Sequence, residues 1–201
     1  MKTYNIKPMT ANGWSDIPKI YMEESYKQSP STTSGWGQIA YDEEGIFVRL
    51  RTDEEEHRNE EKGETGMPCL DSCLEFFFTP STEEKRYINI EINSNLCIYL
   101  GFGTCIPDLM RLLPDSGAFD ILKPKATRDD KGWELEYKIP LTFIRRFFPD
   151  FEIYDGKKIS ANIYKCSEGM EPNHLLSWNK ISMEGFTFHQ RQNFGEMIFV
   201  K

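Results

Sequence analysis

The sequence predicts an all-β protein: an antiparallel β-sandwich with one short helical segment near residues 141–148. Three observations predict it. Apolar and polar residues alternate with period two in several runs, turn-forming clusters separate those runs, and helical spacing occurs in one patch only.

In residues 45–51, Ile46, Val48 and Leu50 share one face, and Arg49 and Arg51 share the other. Residues 73–78 are nearly all apolar, with Glu75 as the sole charge, as expected of a central strand buried on both faces. Residues 87–93 set Ile88, Ile90 and Ile92 against Asn89, Glu91 and Asn93. Residues 133–139 alternate without a break, and residues 159–165 set Ile159, Ala161 and Ile163 against Ser160, Asn162 and Tyr164. A short strand over 196–200 closes the chain. Asp42-Glu43-Glu44-Gly45 and Asp129-Asp130-Lys131-Gly132 read as hairpin turns. The helical patch carries Phe143, Ile144, Phe147 and Phe148, and Pro149 stops it. Many short strands with little helix argue for a sandwich over a parallel α/β sheet.

The 201 residues form one expected domain, 1–201, since no repeat or low-complexity linker divides them. A formal charge of −8 opposes phosphate backbones and anionic lipid, so neither a nucleic-acid nor a membrane partner is expected. Neutral sugars and divalent cations remain compatible with it. The lysines at 2 and 7 precede no apolar run, which is not a secretory signal, and no stretch reaches the roughly 20 apolar residues of a membrane span. Five cysteines, an odd number without framework spacing, read as free thiols in a reducing cytoplasm. The run over 53–64, with seven acidic residues, reads as a solvated loop, with a cation site as its rival.

Most chemical motifs fail their context tests. Gly101-Phe102-Gly103 lacks a third glycine and a following helix, and neither a Gly-x-Ser-x-Gly elbow nor a P-loop occurs. Cys69 and Cys73 lie beside a strand with no nearby histidine, so they read as small buried thiols, not zinc ligands. His57 reads as solvated, and His174 and His189 as structural or ligand-contacting. Glu75 and Glu91 fall on neighbouring strands and on one face. Paired carboxylates are glycosidase chemistry. Beside Asn89 and Asn93, however, they equally provide the donors and acceptors that recognise sugar hydroxyls.

Several segments in order resemble the family 9 carbohydrate-binding modules. Asp71-Ser72-Cys73-Leu74-Glu75-Phe76-Phe77 is similar to the family's acidic strand, and residues 87–93 to the polar strand that follows. Trp133-Glu134-Leu135-Glu136-Tyr137-Lys138-Ile139-Pro140 matches its Trp-Glu-x-Glu strand, and Asn162 falls where the family carries an Asn. Ser177-Trp178 and Phe188 through Gly195 resemble its ending. The resemblance runs from about residue 46 to 200. It implies a non-catalytic β-sandwich that binds oligosaccharides or sugar chain ends, xylan- or cellulose-derived, beside polysaccharide-degrading enzymes. Structural calcium occurs in some relatives; the sequence itself specifies neither a cofactor nor a metal ligand. The family mode sandwiches a sugar ring between two tryptophans. Here the first falls near Pro68-Cys69, with no aromatic, and the second on Phe188. The expected binding set is therefore Phe188 as platform; Glu75, Asn89, Glu91 and Asn93 as a hydrogen-bonding floor; and Tyr164, Lys165, His174 and His189 around it. Trp178 reads as scaffold. Trp36, in a Gly35-Trp36-Gly37 loop, is either a substitute platform or a packed aromatic. Two rival functions are a glycoside-active enzyme using Glu75 and Glu91 as acid/base pair, and a sandwich with a protein-interaction role.

Overall fold

The computed structural model describes residues 1–26, 33–55 and 57–201. Among these, the first strands are β1 (Thr3–Pro8), β2 (Ile20–Tyr21), β3 (Glu24–Tyr26), β4 (Ser34–Tyr41) and β5 (Gly45–Asp53). The middle of the chain gives β6 (Cys73–Thr79), β7 (Tyr87–Asn93), β8 (Ile98–Gly103) and β9 (Met110–Arg111). The rest are β10 (Lys125–Asp129), β11 (Gly132–Pro140), β12 (Lys158–Cys166), β13 (Leu175–Ser177) and β14 (Gly195–Phe199). Two short helices accompany them, α1 (Ala118–Leu122) and α2 (Leu141–Ile144).

One curled sheet runs β10-β11-β5-β4-β1-β14-β12-β6-β7-β8-β9, with β2 on β4, and β13 joining β12 to β3. Its two halves face each other. The alternation puts Leu50 and Val48 of β5, Leu135 of β11, Phe76 and Phe78 of β6, Ile90 of β7 and Ile163 of β12 into one buried core. A Cβ on Gly37 would lie 2.7 Å from Leu50 and 2.9 Å from Ile163, so this glycine lets the layers approach.

The sheet is mixed, not purely antiparallel. β1 pairs in parallel with β14, Thr3 opposite Glu196, and with β4, Lys7 opposite Ala40. Alternation tells which face a residue takes and is silent on strand direction. The short Tyr4/Ile6 pattern at the start of the chain was also too brief to stand out. The Gly35-Trp36-Gly37 segment is likewise strand β4, not a loop: its glycines serve packing, not turning.

Both foreseen hairpins form. Asp42 Oδ1 accepts from the Glu44 and Gly45 N–H at 2.8 and 2.9 Å, and Asp129 Oδ1 from Lys131 and Gly132 at 2.9 and 3.1 Å. Helix α2 lies inside the expected 141–148 segment, and Phe147 and Phe148 follow it to pack on Phe102 at 4.8 and 5.8 Å.

The 53–64 run is less solvated than expected. Glu54 is buried, and Asp71 accepts from the Glu60 and Glu61 N–H at 2.9 and 2.8 Å and from Arg58, which folds the loop onto the sheet. His57 is consequently half-buried, 3.1 Å from Ser94 Oγ. Glu56 lies outside the described residues. No described helix is long and apolar enough to cross a membrane.

Candidate functional site

The outer face of β12, β6, β7 and β8 is covered by a second cluster of Phe77, Tyr87, Tyr164, Phe188 and Phe194. This explains why β6 is apolar on both sides. Within that face one row crosses four strands: Tyr164 opposite Glu75, Glu75 opposite Glu91, and Glu91 opposite Tyr99. Directly opposed residues bring their Cβ atoms within about 4.5–5.5 Å. The two carboxyl groups therefore share the floor of a cavity of about 250 Å³.

Its walls come from three directions. The turn at Pro68–Leu70 brings Met67 and Cys69, tied to the chain after β12 by the Glu168 N–H donating to Cys69 O at 2.8 Å. Ile106 and Leu109 follow β8. Thr187, Phe188 and His189 form the third wall, held by Tyr164 Oη donating to Phe188 O at 3.1 Å and by the Tyr87 hydroxyl, 2.8 Å from His189 Nδ1. Phe188 stacks on Tyr164 with centroids 4.4 Å apart, and only 6% of it is exposed. It presents an edge of wall, not a free platform.

Asn89 donates from Nδ2 to Glu91 Oε1 at 2.6 Å and orients that carboxyl group. It can lie there because residue 101 is glycine: a Cβ at that position would meet Asn89 Oδ1 at 1.8 Å. The Gly101-Phe102-Gly103 run thus has a packing role. Burial pushes Glu75 well above the ordinary carboxylate range, reinforced by Glu91 and Glu168, with Cys166 and Lys165 opposing. Burial and Glu168 push Glu91 up to about 8, against the pull of Asn89 and Arg111. Near neutrality the pair retains protons and offers hydroxyl donors as well as acceptors. Burial and the same carboxylates keep the Cys69 thiol protonated, which removes its nucleophilic form. Burial lowers His189 to about 4, so its imidazole is neutral.

The structure gathers Glu75, Glu91, Phe188 and His189 at the cavity, with Asn89 behind Glu91 and Tyr164 beneath Phe188. Three expected contacts lie elsewhere. Asn93 is spent on Asp71 Oδ2, at 2.7 Å, and on the N–H groups of Asn95 and Cys97 at 3.0 and 2.8 Å. Lys165 follows the alternation to the core side of β12, where its ammonium reaches Glu54 at 3.3 Å and Cys166 O at 2.7 Å. His174 Nδ1 sits 2.8 Å from that same Glu54. Trp36 lies on the outer face of the opposite layer, half-buried with the Lys19 ammonium 3.9 Å from its ring centroid. Wall residues Met67, Tyr99, Ile106, Leu109, Cys166, Glu168 and Thr187 carried no motif that could single them out. Only the row opposite Glu91 pointed to Tyr99. All five cysteines are unpaired. Among the described residues, no group of three or more His, Cys, Asp or Glu is arranged to hold a metal ion.

The profile of carbohydrate-binding family 9 matches residues 13–199. No curated protein matches the chain. Among solved structures, a candidate carbohydrate-binding protein from Bacteroides uniformis is similar over 98% of this chain and 99% of its own, at 23% identity and a TM-score of 0.83. A family 9 carbohydrate-binding module from Caldicellulosiruptor kristjanssonii, in complex with cellotriose, is similar at 10% identity and a TM-score of 0.69, covering 99% and 94%. A structure of such a module from the same organism with glucose gives 10% identity and a TM-score of 0.68, covering 98% and 95%.

Proposed function

The chain belongs to carbohydrate-binding family 9, and from that premise we propose that it is a non-catalytic sugar-binding protein whose ligand enters the cavity over Glu75 and Glu91. The observation that carries the reading is the cross-strand carboxyl pair on the floor of the cavity, with Phe188 and Tyr99 beside it. A sugar needs in-plane hydrogen-bond partners for its hydroxyls and apolar surface for its C–H faces, and this wall supplies both. At about 250 Å³ the cavity lies just under the roughly 300–1,000 Å³ of drug-sized sites. It suits one terminal ring better than the middle of a chain. The solved family members with cellotriose and glucose support the ligand class.

Glycosidase chemistry asks two carboxyl groups to differ, one kept as acid and one ionised by a separate environment. Here both sit in one desolvated row and both are pushed upward, which supports binding over turnover. Calorimetric titration with glucose, cello-oligosaccharides and xylo-oligosaccharides tests the proposal. Saturable binding that weakens at least tenfold in Glu91→Gln is expected, with no hydrolysis of an activated aryl glycoside. Silence across that panel sinks the sugar reading, and measurable turnover lost in Glu91→Gln sinks the non-catalytic one.

A further inference from the structure

We propose that the sugar favoured by this cavity carries a free ammonium group, so that an amino sugar binds in preference to its neutral counterpart. This rests on the sugar-binding reading above and narrows it to a ligand class.

Three carboxyl groups, Glu75, Glu91 and Glu168, line the cavity, and among the described residues neither lysine nor arginine lines it. The nearest cations are committed elsewhere. The Arg111 guanidinium donates to Thr65 O, Gly66 O and Ile98 O at 3.2, 2.6 and 3.1 Å and lies over the Tyr99 ring at 4.5 Å. Lys165 is on the core side of β12 with Glu54.

The carboxyl oxygens are also short of donors. Glu75, only 2% exposed, takes no N–H or O–H from the described residues, and the Cys166 thiol is the donor beside it. Glu91 takes one, from Asn89. Even with a proton on each, the two carboxyl groups keep several lone-pair sites, and buried acceptors are ordinarily satisfied. The unspent acceptors border the cavity.

A hydroxyl would satisfy one or two of them. An ammonium brings three N–H donors and the positive charge that the row lacks, in surroundings where a paired charge counts for far more than in water. The titratable and charged groups whose fields reach the pair are Glu168, Arg111, Lys165 and His189, together with the thiols of Cys69, Cys73, Cys97 and Cys166 and the phenols of Tyr87, Tyr99 and Tyr164. Lys165 and Arg111 are the only permanent cations among them, and neither enters the cavity. When the ammonium docks, a proton held by the carboxyl pair leaves to solvent and the ligand's charge takes its place.

Titration at pH 7 with glucosamine, glucose and N-acetylglucosamine compares a cation with two neutral analogues of nearly the same shape. Glucosamine is expected to bind about tenfold or more tightly than either. The preference should fall towards one in Glu91→Gln, and by about two- to threefold in the exposed rim variant Glu168→Gln, which is remote enough from the core to keep the fold. If glucose binds as well as glucosamine, or better, this inference is overturned while the sugar-binding reading stands. If none of the three sugars and no oligosaccharide binds, the sugar-binding reading itself fails and takes the inference with it.

Discussion

A carboxyl group with an ordinary value near 4.5 that rises to about 8 on burial binds a proton in the folded chain that the unfolded chain releases. Folding is therefore opposed increasingly as pH climbs from about 4.5 to about 8, and the penalty is constant beyond. His189 has the opposite sign. Its imidazole falls from 6.5 to about 4, so its stabilising contribution is complete above 6.5 and lost as pH drops towards 4. Between about 4.5 and 6.5 the His189 gain offsets one carboxyl loss and the raised Glu75 adds a second, so the melting temperature should be highest near pH 5 and decline above it. Glu91→Gln, which mimics the protonated acid, should flatten the alkaline decline, leaving the part due to Glu75, and add about 1–3 kcal/mol at pH 8 while adding little at pH 5. Thermal melts across pH 4–9 check both limbs. At this scale the strand pattern put Glu75 and Glu91 on one face of neighbouring strands, where the structure has them opposite each other. Asn93 and Lys165 lie away from the cavity, the first for a reason alternation does not encode and the second for one that it does. Asn93 sits at a strand end where a turn claims its amide. Lys165 shares its parity with Ile163 and so points to the core side.

Each strand imposes its own constraint on the site. In β8, Gly101 leaves the space that Asn89 fills, so Gly101→Ala should displace that amide, weaken sugar binding at least as much as Asn89→Ala, and cost about 1–3 kcal/mol. Chemical denaturation and calorimetry on the two variants separate the effects. In β12, Lys165 is wholly buried with Glu54, and removing one partner strands a charge. Lys165→Ala should therefore cost about 3–5 kcal/mol, whereas Lys165→Met combined with Glu54→Gln should recover most of it. Element by element, β5, β7, β11 and β12 were readable from alternation, β6 from its apolar run, and β14 as a short closing strand. β1, β4 and β8 were not, because glycines or brevity interrupt their patterns: Gly35 and Gly37 in β4, Gly101 and Gly103 in β8.

For the molecule as a whole, the two faces of the sheet answer different needs. The inner face makes one core, and the outer face of β12, β6, β7 and β8 supports the loops that wall the cavity. Those loops reach their places through long-range contacts such as Tyr164 to Phe188 and Tyr87 to His189, which no local pattern announces. Only the resemblance in segment order pointed to them. The strand β1 joins the two halves of the sheet, and its Ile6 is completely buried. Ile6→Ala should cost about 2–5 kcal/mol and broaden the unfolding transition beyond what a cavity in one layer would do, measured by denaturant titration with near- and far-ultraviolet dichroism in parallel.

That clasp also has a consequence in time. Thr3 to Ile6 lie against Glu196 to Phe199, so residues from the two extremes of the described chain must meet before the barrier of loop closure is repaid by pairing. During synthesis β1 emerges with neither β4 nor β14 beside it, and β14 follows every other described strand. The layer holding the cavity therefore cannot seal against β1 until β14 has been made. Ribosome-bound chains halted before residue 195 should show a protease-sensitive β1 that becomes resistant once β14 has emerged.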